Sequence, residues 1–207
     1  MPLAPGTVAP NFVVTNTDGK ELTLESLKGK KVYLCLFRVA ACPLCNLQVS
    51  KIKKAASELS KNGLEIVCVF ESTMAEMKSY SGTQASSDFA IYVDERKHAV
   101  YKDYQRKRGC AGTLIGYAPC WHMCVDCKMW SAIPYMFKGC PPAVCNPMLY
   151  TPRGLMGMPA DFLIDEQGKI VDVHYGHVIG DHMSMDKVKA FAGVAGGTPP
   201  SDLMERA

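Results

Sequence analysis

The sequence predicts an α/β fold, a central mixed sheet flanked by helices, on three observations. Short apolar, β-prone runs alternate with runs of helical period through the first hundred residues. The order β-α-β-α-β-α implies parallel strands joined by crossover helices. Regular patterning then stops at Gly109 and returns at Ala160 as a hairpin and a final helix, so one domain spanning 1–207 carries an insertion at roughly 109–157.

The elements follow in order. Phe12-Val13-Val14 is β-prone, and Asn16-Thr17-Asp18-Gly19 is a turn signal. Glu21 to Leu27 carries Leu22, Leu24 and Leu27 as a short element before Gly29. Val32 to Phe37 is an apolar run of the kind buried on both faces of a sheet. From Asn46 to Leu59 a helix is expected, because Cys45, Val49, Ile52, Ala56 and Leu59 form one stripe. Asn62-Gly63 closes it, glycine being the usual residue just past a helix end. Leu64 to Phe70 and Phe89 to Val93 are the next strands, and residues 73–80 and Glu95 to Tyr104 the helices between and after them. Ala160 to Ile164, the turn Asp165-Glu166-Gln167-Gly168 and Lys169 to His174 make the hairpin. Ser184 caps a last helix over Met185 to Ala192.

The chemistry concentrates at Cys42-Pro43-Leu44-Cys45, between the first central strand and its helix. A cysteine there faces backbone N–H groups without helical partners and the positive end of a helix dipole. Both favour thiolate over thiol. Three residues on, Cys45 lies about one turn along the same helix, placed to resolve a mixed disulfide formed on Cys42. The stripe puts Cys45 on the inward face and leaves Cys42 the more accessible thiol.

Composition limits the alternatives. The 207 residues are 48% hydrophobic and 21% charged, and the net charge of +3 is too mild to argue for nucleic acid. Lys28 to Lys31, Lys51 to Lys54 and Arg106-Lys107-Arg108 read as solvated faces or turns. The first residues lack the basic and apolar regions of a secretory leader, and no apolar run reaches the roughly 18 residues of a spanning helix. A cytoplasmic protein with no transmembrane segment is expected. Most of its ten cysteines should then be reduced, with a few catalytic or metal-bound.

With the motif come Gly6-Thr7-Val8-Ala9-Pro10-Asn11-Phe12, Asp18-Gly19-Lys20, Pro159-Ala160-Asp161-Phe162-Leu163-Ile164-Asp165 and Tyr175 to His182. In that order these segments resemble the peroxiredoxin-like (alkyl hydroperoxide reductase/thiol-specific antioxidant) family of the thioredoxin superfamily, in its CxxC branch, similar to selenoprotein L. The resemblance covers roughly residues 5–105 and 155–193. It implies a thioredoxin-like fold with the insertion before the cis-proline strand. It implies Cys42 as attacking thiol, Cys45 as resolving thiol and Pro159 as the cis-proline beside them. It also implies a disulfide or peroxide substrate, a thioredoxin- or glutathione-type reductant, an antioxidant role and no cofactor for the redox chemistry. Three positions depart from the family pattern. Val39 stands three residues before Cys42 where threonine is usual, Cys35 stands where a proline is usual, and Pro159 falls where the strand arginine would be. Arg38 and Arg153 are the cations able to substitute.

Other signals have plainer readings. Cys35 and Cys68, inside apolar strands, read as small buried hydrophobes. Asp94, Asp161 and Asp165 read as capping or turn carboxylates. His177 and His182 lie in the turn between last strand and last helix, and read as solvated or capping ahead of proton shuttles. In the insertion, Cys120, Cys124 and Cys127 have spacing compatible with zinc or an iron–sulfur cluster, and neighbouring methionines would suit Cu(I). A metal-binding protein on this scaffold is therefore the alternative function. The same segment also reads as an apolar flap with incidental thiols or accessory disulfides, or as a homo-oligomer surface.

Overall fold

In the computed structural model of the chain, the described residues are 2–80, 89–94, 99–106 and 157–194. Seven strands form one mixed sheet: β1 (Val13–Asn16), β2 (Glu21–Thr23), β3 (Lys31–Leu36), β4 (Leu64–Phe70), β5 (Ile91–Val93), β6 (Ala160–Ile164) and β7 (Ile170–Tyr175). Their spatial order is β2-β1-β5-β4-β3-β6-β7. Among the described residues the α-helices are α1 (Pro43–Lys61), α2 (Met74–Tyr80), α3 (Ala99–Asp103) and α4 (Met185–Ala192).

The crossover order settles the centre of the sheet. β3 pairs parallel with β4 and β4 with β5, while β6 runs antiparallel to β3 and β7 antiparallel to β6. Side-chain alternation along β3 divides two cores. Tyr33, Cys35 and Phe37 face a layer built from Val49, Ile52, Ala56 and Leu59 of α1 and Val188 of α4. Val32, Leu34 and Leu36 face Phe12, Tyr101, Tyr104 and Phe162. The predicted stripe of α1 is wholly buried. Its end is also as expected: Gly63 has φ +77°, a left-handed position that costs glycine nothing. Ser184 Oγ accepts the Lys187 N–H at 3.4 Å and caps α4.

Boundaries shift modestly from the sequence expectation. The Glu21–Leu27 element divides into β2 and a 3-10 turn at Glu25–Leu27. β5 begins at Ile91, and α3 is described only over Ala99–Asp103. Most of the predicted insertion, with Cys120, Cys124, Cys127 and Arg153, lies outside the described residues. Among the described residues no helix is long and apolar enough to cross a membrane.

Candidate functional site

The loop Phe37–Cys42 joins β3 to α1, and its backbone polar groups are tied down almost one by one. Phe37 C=O accepts from Arg106 Nη1 at 3.0 Å, and Arg38 C=O accepts the Glu71 N–H at 2.9 Å. Val39 C=O accepts the Cys42 N–H at 3.0 Å. The Ala40 N–H donates to Ser72 Oγ at 3.0 Å, and Ala40 C=O accepts from Asn46 Nδ2 at 2.9 Å. A buried loop must satisfy its own backbone, and here side chains from α1, the β4–α2 turn and the end of α3 do so. Arg106 is in turn buried in an ion pair with Glu71 and lies over the Tyr101 ring, 4.3 Å from its centroid.

That loop delivers Cys42 to the N-cap of α1, with Pro43 as the first helical residue. Proline suits this position because its missing N–H would have had no helical acceptor. Cys42 and Cys45 are both free thiols. The Cys42 thiol is lowered to about 5, first by a hydrogen bond from the Cys45 side chain, then by the Arg38 guanidinium and the N–H groups of Cys45 and Leu44, against the opposing effect of burial. Arg38 Nη1 lies 3.4 Å from Cys42 Sγ. The Cys45 thiol moves the other way, raised by burial and by its neighbour. One sulfur therefore ionises readily and the other keeps its proton and donates it.

One expectation is corrected here. Cys42 is not the exposed thiol of the pair: both cysteines are 1% exposed. The pinned loop and the buried Arg38 side chain hold Cys42 inside the same core as Cys45. The contrast between the two sulfurs is one of charge, not of access.

Pro159 directly precedes β6, whose Ala160 pairs with Leu36, so it lies at the end of β3 from which the Cys42 loop departs. The segment 176–184 closes over this end. At Gly176 an added Cβ would come within 2.8 Å of Pro159 Cγ and 2.6 Å of the Asp181 carbonyl oxygen; at Gly180 it would come within 3.1 Å of Leu44 Cδ1. Glycine at 176 is thus required by close approach.

Three further residues depart from their sequence readings. Arg106 is no solvated cation but the buried partner of Glu71. Asp161 is no turn carboxylate: it sits mid-strand at 0% exposure, accepting from Tyr33 Oη at 3.0 Å and the Met183 N–H at 2.9 Å. His182 is neither solvated nor a cap, since its side chain is buried with Nδ1 3.1 Å from Asp161 Oδ2 and 3.5 Å from Cys35 Sγ. A carboxylate inside an apolar strand, as in Ala160-Asp161-Phe162-Leu163, was the signal available for this network, because a lone buried charge demands a partner. Nothing in the local patterns of Asn46, Glu71 or Ser72 announced their contacts. By contrast, Asp94 accepts the Val100 N–H at 2.8 Å, and Asp165 accepts from Gln167 and Lys169 in its turn.

Comparison with known proteins agrees with this architecture. The AhpC/TSA family pattern matches residues 5–173. A chloroplastic peroxiredoxin Q from Triticum aestivum is 28% identical over 111 residues, 54% of this chain and 50% of that protein. Peroxiredoxin Bcp of Escherichia coli K12 is 29% identical over 94 residues, 45% of this chain and 60% of that one. The chain thus spans about half to two thirds of the length of such relatives. Peroxidoxin BcpB from Mycobacterium tuberculosis superposes with a TM-score of 0.60 at 16% identity, covering 91% of this chain and 96% of that one. The reduced 2-Cys peroxiredoxin of Plasmodium vivax gives 0.57 at 15% identity, covering 92% and 81%. Both share the fold. With the family pattern running from the first strand to the last hairpin, through the CxxC helix, this chain belongs to the AhpC/TSA family of peroxiredoxin-like proteins.

Proposed function

We propose that this protein is a thiol-dependent peroxide reductase in which Cys42 attacks and Cys45 resolves. The observation that carries the reading is the placement of Cys42 at the N-cap of α1 with Arg38 Nη1 3.4 Å from its sulfur. There the Cys45 hydrogen bond and then the guanidinium lower its thiol, while burial and its neighbour raise that of Cys45. The thiolate of Cys42 attacks the distal oxygen of a hydroperoxide, the O–O bond breaks, and the leaving alkoxide takes a proton from solvent. Cys42 is left as a sulfenic acid. The Cys45 thiol condenses with it, forming a Cys42–Cys45 disulfide and releasing water. An external reductant of the thioredoxin or glutathione type, one dithiol or two monothiols, returns both sulfurs to the reduced state and is itself oxidised to a disulfide.

Two features favour a small peroxide as electrophile. In the reduced form Cys42 is 1% exposed, which suits a two-atom reacting group as the first electrophile better than a folded protein's disulfide, the reductant acting later on the oxidised pair. The donors around the sulfur are the Arg38 guanidinium and two backbone N–H groups, able to stabilise negative charge on a peroxide oxygen. Val39 supplies no hydroxyl, and Arg38 approaches from the loop instead of from β6. Thiol–disulfide exchange is the second reading, favoured by two sulfurs within one helical turn. Both use Cys42, so the deciding experiment runs two assays on one variant. Cys42→Ser should lose peroxide consumption and insulin reduction alike while keeping its fold. Full activity of Cys42→Ser in either assay rejects the assignment, and a wild type active on insulin alone selects the second reading.

The Pro159 ring, beside Gly176 at the same end of the sheet, supports a role in shaping the approach to the pair. We place the reaction in the cytoplasm and require no cofactor for it. Metal binding through Cys120, Cys124 and Cys127 concerns residues outside the described ones and gains no support from this site.

A further inference from the structure

Beneath the CxxC helix, a second constellation plays no part in the reaction above. Cys35 comes from β3, Asp161 from the facing position on β6, and His182 from the segment between β7 and α4. Their sulfur, oxygen and nitrogen atoms all lie within 4.8 Å of one another. We propose that Cys35, Asp161 and His182 form a buried binding site for a zinc-class divalent cation.

The distances suit that role. Zinc bonds of about 2.3 Å to sulfur and about 2.0 Å to nitrogen and oxygen, at tetrahedral angles, put sulfur and nitrogen roughly 3.6 Å apart and nitrogen and oxygen roughly 3.3 Å apart. The corresponding separations here are 3.5 Å for Cys35 Sγ to His182 Nδ1 and 3.1 Å for His182 Nδ1 to Asp161 Oδ2. One soft, one borderline and one hard donor make a set that zinc accepts and that magnesium or calcium, which take oxygen alone, do not.

Charge and support agree. A divalent cation with one thiolate, one carboxylate and one neutral imidazole is net neutral, the form in which ionic groups are least costly to bury. Binding displaces the Cys35 thiol proton to solvent, and a second proton where the ring starts as an imidazolium; a neutral ring only moves its proton from Nδ1 to Nε2. The carboxylate is already aimed, because Tyr33 Oη and the Met183 N–H hold its two oxygens. Such outer partners are what fix a ligand's orientation. The imidazole ring rests on Phe37, with centroids 4.9 Å apart, and His182 Nε2 has no hydrogen-bond partner among the described residues. The polar anchoring of this ring therefore converges on Nδ1 alone, the atom shared with Cys35 and Asp161. Cys68, the register neighbour of Cys35 on β4, stands outside the 4.8 Å set.

The test is metal uptake by the reduced full chain, stripped with a chelator under anaerobic conditions and titrated with Zn²⁺ against a chromophoric competitor. His182→Gln and Cys35→Ala should each take up one equivalent less than the parent, whatever the insertion cysteines bind. Tyr33→Phe should keep that equivalent with affinity lowered roughly 10- to 100-fold. Cys68→Ala should match the parent. Co²⁺ in place of zinc should add a thiolate-to-metal band in the near ultraviolet to the parent spectrum, and this increment should be missing from Cys35→Ala. Because Cys35→Ala is a small-for-small change, it decides the matter even where His182→Gln fails to fold. Equal metal uptake by parent and Cys35→Ala, or an unchanged Co²⁺ spectrum, overturns the proposal and leaves the cluster a hydrogen-bonded core network.

Discussion

Cys42 and Cys68 lie at nearly the same depth, 1% and 0% exposed, yet their thiols are displaced in opposite directions. Burial raises both. Cys68 sits mid-strand in β4, where the nearby Asp161 charge adds to the effect of burial. Cys42 sits where a loop becomes a helix, so the Cys45 S–H, the Arg38 guanidinium and two N–H groups all address its sulfur and together outweigh desolvation. The lesson is that donors decide the state of a buried cysteine, and donors collect at helix starts and not in strand interiors. A thiolate ultraviolet titration makes the comparison quantitative. The wild type should show an ionisation step near pH 5 that Cys42→Ser lacks.

The largest break comes from Cys45→Ala, which removes both the thiol and its hydrogen bond to Cys42. Loss of the resolving thiol should stop multiple turnover with a dithiol reductant after one equivalent of peroxide, leaving a sulfenic acid that dimedone traps. The same change removes the leading cause of the low Cys42 value, so the ionisation step should move upward. An unshifted step would mean that helix and guanidinium suffice without the neighbour.

Next in size is Glu71→Gln. Removing one charge of a buried ion pair should cost about 3–5 kcal/mol, read by denaturant unfolding. Since Arg106 also holds the Phe37 carbonyl, the loop carrying Arg38 should loosen, and turnover should fall with stability.

These predictions rest on residues with unequal visibility in the sequence. The frame was legible because it obeys short-range rules: the α1 stripe, the buried runs of β3 and β4, Gly63 and the Ser184 cap each need only a few neighbouring letters. The CxxC pair was legible for the same reason, being local to one helix turn. Glu71 and Arg106 meet across 35 positions of sequence, and His182 and Asp161 across 21. No periodicity encodes such pairings. The accessibility expected of Cys42 failed because a helix stripe ranks residues around an axis and is silent about the loop folded over its end.

Asp161→Asn should act at intermediate size, about 1–3 kcal/mol, with a definite pH signature. The Asp161 carboxyl, raised by burial but lowered more by His182 and by its other hydrogen bonds, ends below its ordinary value of 3.8. A depressed folded value means that the ionised form stabilises the fold. That contribution is present above the ordinary value and is lost as pH falls through the lower folded one. Wild type and Asp161→Asn should therefore differ at pH 7 and converge in acid below about pH 4. A difference that widens on acidification would contradict an ionised Asp161.

Arg38→Met sharpens the comparison within the site. Its loss should raise the Cys42 step by less than Cys45→Ala does, since the guanidinium ranks behind the neighbouring thiol. Peroxide reduction near pH 5 should slow by roughly tenfold or more, with partial recovery as rising pH restores the thiolate and in Arg38→Lys, which restores the charge without the fork geometry.

The smallest effect belongs to Cys68→Ala, and its value lies in that smallness. Truncating one buried sulfur should cost about 1 kcal/mol through lost packing. It should leave the ionisation step near pH 5 and the rate of peroxide reduction where they were, because no donor of the Cys42 environment comes from β4's interior. If Cys68→Ala moved either one, the two cysteines would be electrostatically joined through the sheet. The opposition between a strand thiol and a helix-mouth thiol would then have to be replaced by a single titrating network running from Asp161 to Cys42.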